Sequence, residues 1–124
     1  MIDKNLIYAL VGASANPEKY GNKIFQDLLS WGYKVVPINP NEQEILWTKT
    51  YSSLSQIPFF IDVVICVVPP SVTEKIVDEV VALWIKNIWM QPWSESDVAI
   101  QKCRQHWITL VHNSCIMIQR KSNM

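Results

Sequence analysis

Gly12, Ala13, Ser14 and Asn16 stand between an apolar run, 6–11, and a helical pattern that begins near Lys23. A buried strand that breaks at a glycine, makes a polar loop and enters a helix is the layout of an anion site. The glycine lets backbone approach the ligand, and the helix N-terminus offers unpaired N–H groups and the positive end of the dipole. The stretch has neither the Gly-Lys-Ser/Thr ending of a P-loop nor the G-x-G-x-x-G spacing. It therefore points to a nucleotide-like ligand without saying which one. Lys19 and Lys23 flank the loop; they either add charge toward a bound phosphate or stand as solvated surface lysines. Tyr20 either stacks over the loop or packs beneath it.

Other chemistry is sparse. Ser14 reads as a turn or phosphate hydroxyl rather than a nucleophile, because no Ser-His-Asp arrangement is assignable. His106 and His112, the chain's 2 histidines, have no partner at ligand spacing, and there is no Cys-x-x-Cys, so no metal is expected. Cys66 lies inside the most apolar strand and reads as core. Cys103 lies late in an amphipathic helix and reads as packed. Cys115 follows Asn113 and Ser114 near a strand end, where both an inert thiol and a reactive one fit. The 3 cysteines, widely spaced and odd in number, suggest a reducing compartment and no disulfide framework.

The elements that must position these residues alternate along the chain. Strands are expected at 6–11, 33–38, 63–68, 87–90 and 108–111, with a short element at 48–51 and a last short strand at 116–118. Helices are expected at 23–31, with Asn22 as cap and Ile24, Leu28 and Trp31 on one face; at 72–83, with Ser71 and Glu74 as a capping box; and at 95–106, capped by Ser94 with Asp97. A small helical turn falls at 53–56, and Gly32 sits at a helix C′ position. Continuous apolar strands with intervening helices mean an α/β fold. It is a Rossmann-like, doubly wound, mainly parallel sheet of five to six strands with helices on both faces. In such folds ligands sit at the C-terminal strand ends. Those ends here are the 12–14 loop, Asn39-Pro40, Val68-Pro69-Pro70 and Met90-Gln91-Pro92.

Taken together, Gly12-Ala13-Ser14 with Asn16-Pro17, Pro37-Ile38-Asn39-Pro40, Val68-Pro69-Pro70, Trp89-Met90-Gln91-Pro92 and Asn113-Ser114-Cys115 resemble the stand-alone CoA-binding proteins. These are similar in turn to the N-terminal CoA-binding domain of the succinyl-CoA synthetase alpha subunit. The resemblance covers about residues 5–118. It implies non-covalent binding of coenzyme A or an acyl-CoA. The loop 12–16 would lie on the pyrophosphate, with Lys19, Tyr20 and Asn22 beside it. Asn39 and Pro40 would lie near the adenosine, and Val68, Pro69, Pro70, Met90, Gln91 and Pro92 would form the other wall. The synthetases carry their phosphohistidine in a further domain, so ligase activity is not expected to carry over, and no catalytic residue is assigned. The basic residue that the synthetases place after their second strand is replaced here by Asn41-Glu42-Gln43-Glu44, which leaves the 3′-phosphate contact unassigned. At Cys115 a mixed disulfide with CoA is the reactive reading.

Two rival readings are carried. One is an NAD(P)-type cofactor domain of an oxidoreductase, disfavoured because Asn39 rather than an acidic residue ends the second strand. The other is an interaction module that senses CoA.

At 124 residues, with 49% hydrophobic and 18% charged residues, the chain reads as one globular domain, 1–124. A formal net charge of +0 without a basic run argues against nucleic acid as partner. No signal layout or membrane span is read, so a cytoplasmic protein is expected. The oligomeric state is left open.

One oddity remains. The chain has 3 glycines and 6 tryptophans. The first helix exits through Gly32-Tyr33, while the second and third exit through Trp84-Ile85 and Trp107-Ile108. The family pattern has glycine where Trp47 and Trp93 stand. Either these are ordinary substitutions, or a UGA codon that some bacteria read as glycine has been rendered as tryptophan.

Overall fold

A computed structural model describes residues 1–122. The elements run β1 (Ile7–Val11), α1 (Tyr20–Ser30), β2 (Lys34–Ile38), β3 (Glu44–Ile45), β4 (Thr48–Lys49), a 3-10 turn (Leu54–Gln56), β5 (Val63–Cys66), α2 (Pro70–Ala82), β6 (Asn87–Met90), α3 (Asp97–Gln105), β7 (Thr109–Val111) and α4 (Ile116–Ser122). Five strands form one parallel sheet in the order β2-β1-β5-β6-β7, and β3-β4 is a separate hairpin. The order reverses at β1: the chain steps outward to β2, then returns to the other side of β1 as β5. That is a switch point, and it opens a crevice at the carboxyl ends of β1 and β5.

The central strands are buried on both faces, as their unbroken apolar sequences require. One core layer lies under α2 and α3 and joins Ala9, Val11, Val64, Cys66, Ile88 and Met90 to Val77, Val80 and Cys103. The other lies under α1 and joins Tyr8, Leu10, Val63, Ile65 and Trp89 to Ile24, Phe25, Leu28 and Ile116. The alternate residues of each strand thus serve opposite layers, as the pleat dictates. Among the described residues no helix is long and apolar enough to cross a membrane.

The structure corrects several expected boundaries. Helix α1 begins at Tyr20, so Asn22 is its third residue rather than its cap; Lys19 takes the N-cap position without a side-chain bond. Helix α2 begins at Pro70 behind Pro69, also without a side-chain cap. Two prolines fix the backbone angles of that entry and have no N–H to satisfy, so the Ser71/Glu74 box is not used. Glu74 instead accepts a bond from the Ser96 hydroxyl at 2.7 Å. Ser96, not Ser94, caps α3, its Oγ accepting from the Ala99 N–H at 3.1 Å. Residues 116–118 are the first turn of α4 rather than a strand. That segment pairs with no sheet edge. It packs on α1, held by Arg120, whose guanidinium pairs with Asp27 at 2.6 Å and lies 4.6 Å from the Trp31 ring centre. Trp31 is therefore the C-cap of α1, stacked on Arg120, and not a member of the buried face.

Candidate functional site

Three backbone segments meet at the switch point, and two glycines let them meet. Gly12, directly after β1, has φ +97° and donates its N–H to the Ile38 carbonyl at 3.1 Å. A Cβ there would stand 2.2 Å from the Val67 carbonyl oxygen. Gly21, the second residue of α1, is packed onto the same point: its Cβ would stand 2.0 Å from the Gly12 carbonyl oxygen. The β1 exit, the β5 exit and the start of α1 thus pack backbone against backbone. The α1 N-terminus is thereby set directly over the end of β1.

The loop 13–19 is held in shape by its own side chains. The Ser14 hydroxyl accepts from the Asn16 N–H at 3.0 Å, and Asn16 Oδ1 accepts from the Glu18 N–H at 3.0 Å. Two buried or half-buried amides then fix the loop carbonyls from outside. Asn22 Nδ2 donates to the Ser14 carbonyl at 2.9 Å, and Asn39 Nδ2 donates to the Ala13 carbonyl at 2.9 Å. The N–H groups of Gly12, Asn16, Glu18 and Lys19 are taken up by Ile38 and by the loop itself. The Ser14 hydroxyl is thus engaged within the turn. Lys19, Lys23 and Tyr20 are exposed, and Lys23 Nζ lies 5.8 Å from the Tyr20 ring centre.

Two concavities flank the β5 exit. The first, about 240 Å³, lies between β1, β2 and α2, and is lined by Gly12, Ile38, Asn39 and Pro40, by Ser52, Ser53 and Leu54, and by Val68, Val72, Ile76 and Glu79. It is a largely apolar groove with a few polar groups at its rim, the usual make-up of a small-molecule site. The second, about 100 Å³, is lined by Tyr20, Val67, Gln91, Pro92, Trp93 and Cys115. The groove therefore gathers Gly12, Asn39, Pro40 and Val68 from the expected set, and the smaller pocket gathers Tyr20, Gln91 and Pro92. Pro69 and Pro70 stand at the mouth as the exposed entry to α2. Ala13 and Met90 are wholly buried and face the core; any part they play in binding runs through their backbone. Asn22 and Asn39 act by holding the loop. Asn16, Lys19 and Ser14 lie in the loop itself.

Gln91 does more than line a wall. It is buried, its Oε1 accepts from the Ile116 N–H at 2.8 Å, and its Nε2 lies 3.3 Å from Cys115 Sγ. It ties the end of β6 to the start of α4. Ser94, expected as a cap, instead accepts the Val68 N–H at 3.1 Å and so shapes the β5 exit.

Sequence reading missed Ser52, Ser53, Leu54, Val72, Ile76 and Glu79. The first three reach the groove because Tyr51 bridges to Ile38, with bonds from Tyr51 N to the Pro37 carbonyl and from Asn39 N to the Tyr51 carbonyl. No local pattern announces such a bridge. Burial raises the Glu79 carboxyl above the ordinary carboxylate range, a bond from the Leu54 backbone offsetting part of that, and its Oε2 has no hydrogen-bond partner. Burial also pushes up the thiols of Cys66 and Cys103, the latter to about 11, which makes both inert at neutral pH. Among the described residues no cluster of His, Cys, Asp or Glu could hold a metal ion.

The chain is similar to several known proteins. A family model described as a CoA binding domain matches residues 7–121. Over 81 residues the chain is 35% identical to the alpha subunit of acetate–CoA ligase (ADP-forming) II of Pyrococcus furiosus, which covers 64% of this chain but only 18% of the ligase subunit. The Bacillus subtilis protein YneT is 26% identical over 110 residues, covering 89% of this chain and 82% of its own. A conserved hypothetical protein of Pyrococcus furiosus superposes with a TM-score of 0.89 at 41% identity, covering 92% of this chain and 98% of that one.

Proposed function

The chain belongs to the CoA binding domain family, and on that premise we propose that it binds coenzyme A or an acyl-CoA non-covalently, as a binding domain without a catalytic centre of its own. The observation that carries this reading is the pair of concavities on either side of the β5 exit, with the α1 N-terminus between β1 and the ligand face. A long, bipartite ligand with a central pyrophosphate suits such a layout. The adenosine would occupy the groove between Pro40, Ser53 and Val72. The pyrophosphate would lie against loop 12–16 and the start of α1, where N–H groups and the helix dipole stabilise negative charge without a cluster of basic side chains. The pantetheine arm would run toward Val67 and Gln91.

The same geometry speaks against a dinucleotide site. The residue that follows β2 is Asn39, and each end of its amide makes a bond: Nδ2 to the Ala13 carbonyl and Oδ1 to the Asn41 N–H at 2.8 Å. It is a neutral amide engaged with the loop, where NAD-binding folds place an acidic residue on the ribose. The three free cysteines, two of them buried, suit the reducing cytoplasm proposed as its setting.

Thermal unfolding with CoA, NAD and ATP tests the proposal. CoA at a hundred times its dissociation constant adds about 2.7 kcal/mol to the stability, and NAD adds nothing. No stabilisation by CoA, together with clear stabilisation by NAD, would overturn the reading.

A further inference from the structure

We infer that positions 47, 84, 93 and 107 carry glycine in the protein as its own cell makes it, the four tryptophans standing for a UGA codon that this cell reads as glycine. The inference rests on backbone geometry and is independent of what the site binds.

Among the described residues six that are not glycine have φ in the left-handed region: Leu46, Trp47, Trp84, Trp93, Trp107 and Asn113. Four of the six are tryptophan, a residue whose bulk makes that conformation costly. The turn type at each of the four calls for glycine on its own grounds.

Trp84 and Trp107 are helix C′ residues, at φ 60° and 58°. The Trp84 N–H bonds the Val81 carbonyl and the Ile85 N–H bonds the Val80 carbonyl, at 3.2 and 3.0 Å. The Trp107 and Ile108 N–H groups bond the Arg104 and Cys103 carbonyls at 3.4 and 2.9 Å. The end of α1 has the same pair of bonds, from Gly32 to Leu29 and from Tyr33 to Leu28, at 3.1 and 3.0 Å. All three are Schellman ends, a motif whose C′ residue is usually glycine. The one exit that has kept its glycine is a built-in reference for the other two.

Trp47 is the second central residue of the two-residue β3-β4 hairpin, in which Leu46 and Trp47 both have positive φ, 48° and 63°. That is a type I′ turn, in which glycine is strongly preferred at this place. Trp93 is the third residue of the turn 91–94, closed by a bond from the Ser94 N–H to the Gln91 carbonyl at 2.9 Å. Pro92 precedes it and its φ is 77°, the signature of a type II turn with proline second and glycine third.

The indoles gain little in return: Lys86 Nζ lies 5.5 Å from the Trp84 ring centre, and Trp93 lines the smaller pocket. Trp47, Trp84, Trp93 and Trp107 are 93, 74, 87 and 90% exposed. The other two tryptophans are employed: Trp89 is buried in the sheet with its Nε1 donating to the Ser114 carbonyl at 2.9 Å, and Trp31 stacks on Arg120. Tryptophans thus fall into two populations: Trp31 and Trp89, each with a partner and outside the positive-φ set, and four that are 74–93% exposed at positive φ. With glycine at 93 the smaller pocket loses the indole that now forms part of its wall.

The gene and the native protein test this together. The expected result is TGA at codons 47, 84, 93 and 107, TGG at codons 31 and 89, and glycine at all four positions in peptide mass spectra of the protein purified from its own cells. TGG at any of the four codons, or tryptophan in any of the four native peptides, overturns the inference.

Discussion

Gly21→Ala sets two opposing effects against each other, and the structure says which wins. On helix propensity alone alanine is the better residue. Replacing a helical glycine gains roughly 0.5–1 kcal/mol by restricting the unfolded chain. At position 21, however, the new methyl would stand 2.0 Å from the Gly12 carbonyl oxygen and 3.0 Å from the carbonyl carbon. A relaxed carbon–oxygen approach is about 3.3–3.6 Å, so α1 must lift by roughly 1.3 Å at its first turn. The obstacle is backbone, fixed at the end of β1 by the bond from Gly12 N to the Ile38 carbonyl, and cannot rotate aside. Lifting the helix loosens the packing of Ile24, Phe25 and Leu28 on the sheet. Overpacking costs about 1–3 kcal/mol, and against backbone that cannot yield the upper part, about 2–3, applies; after a propensity gain of up to about 1 kcal/mol, about 1–2 kcal/mol of destabilisation remains. Urea unfolding followed by circular dichroism should show the midpoint falling by about 0.5–1 M. CoA affinity should fall with it, because the α1 N-terminus moves away from the loop. Gly32→Ala is the control. It has φ +83° and open space around the new Cβ, so it loses only about 1 kcal/mol of backbone preference and leaves ligand affinity intact. A Gly21→Ala protein as stable as the parent or more so would refute the packing argument.

Asp27→Asn removes the carboxylate facing the buried Arg120 guanidinium and should cost about 3 kcal/mol, with fraying of α4 visible as faster amide exchange over 116–122. Glu79→Gln should raise stability at neutral pH. The folded-state carboxyl titrates above its unfolded value, so the stability it supports is present in acid and is lost as pH rises through the raised value. The advantage of the glutamine variant in thermal melts should therefore close as pH falls below the ordinary carboxylate range. Trp84→Gly and Trp107→Gly should each add about 1 kcal/mol. The two should add independently in urea titrations, since they end different helices on their own backbone bonds.

The alternation of strands and helices was legible because buried parallel strands and amphipathic helices carry different periods, and those periods are local. The segment 116–118 misled because a short apolar run fits either period; its fate as helix depends on Asp27 receiving Arg120 from far along the chain. The caps misled for a similar reason. Ser71, Glu74 and Ser94 have the right spacing, yet Pro69-Pro70 sets the entry to α2, and the Glu74 carboxylate and Ser94 hydroxyl bond to partners in other segments.

Of the site, the sequence by itself determined the strand ends and the loop that follows β1, because a glycine after an apolar run and before a helix is a local signal. It also marked Trp84 and Trp107 as misfits, by comparison with Gly32. Tertiary structure alone decided the rest. The packing of Gly21 on Gly12, the groove wall brought in by the Tyr51–Ile38 bridge and the commitment of Asn39 and Gln91 to backbone partners all join residues remote in sequence. Such contacts are set by how layers stack rather than by any period along the chain. The sign of φ at the four tryptophans is different: the turn that closes around each is local, and the backbone geometry gives the sign that the residue type alone hides.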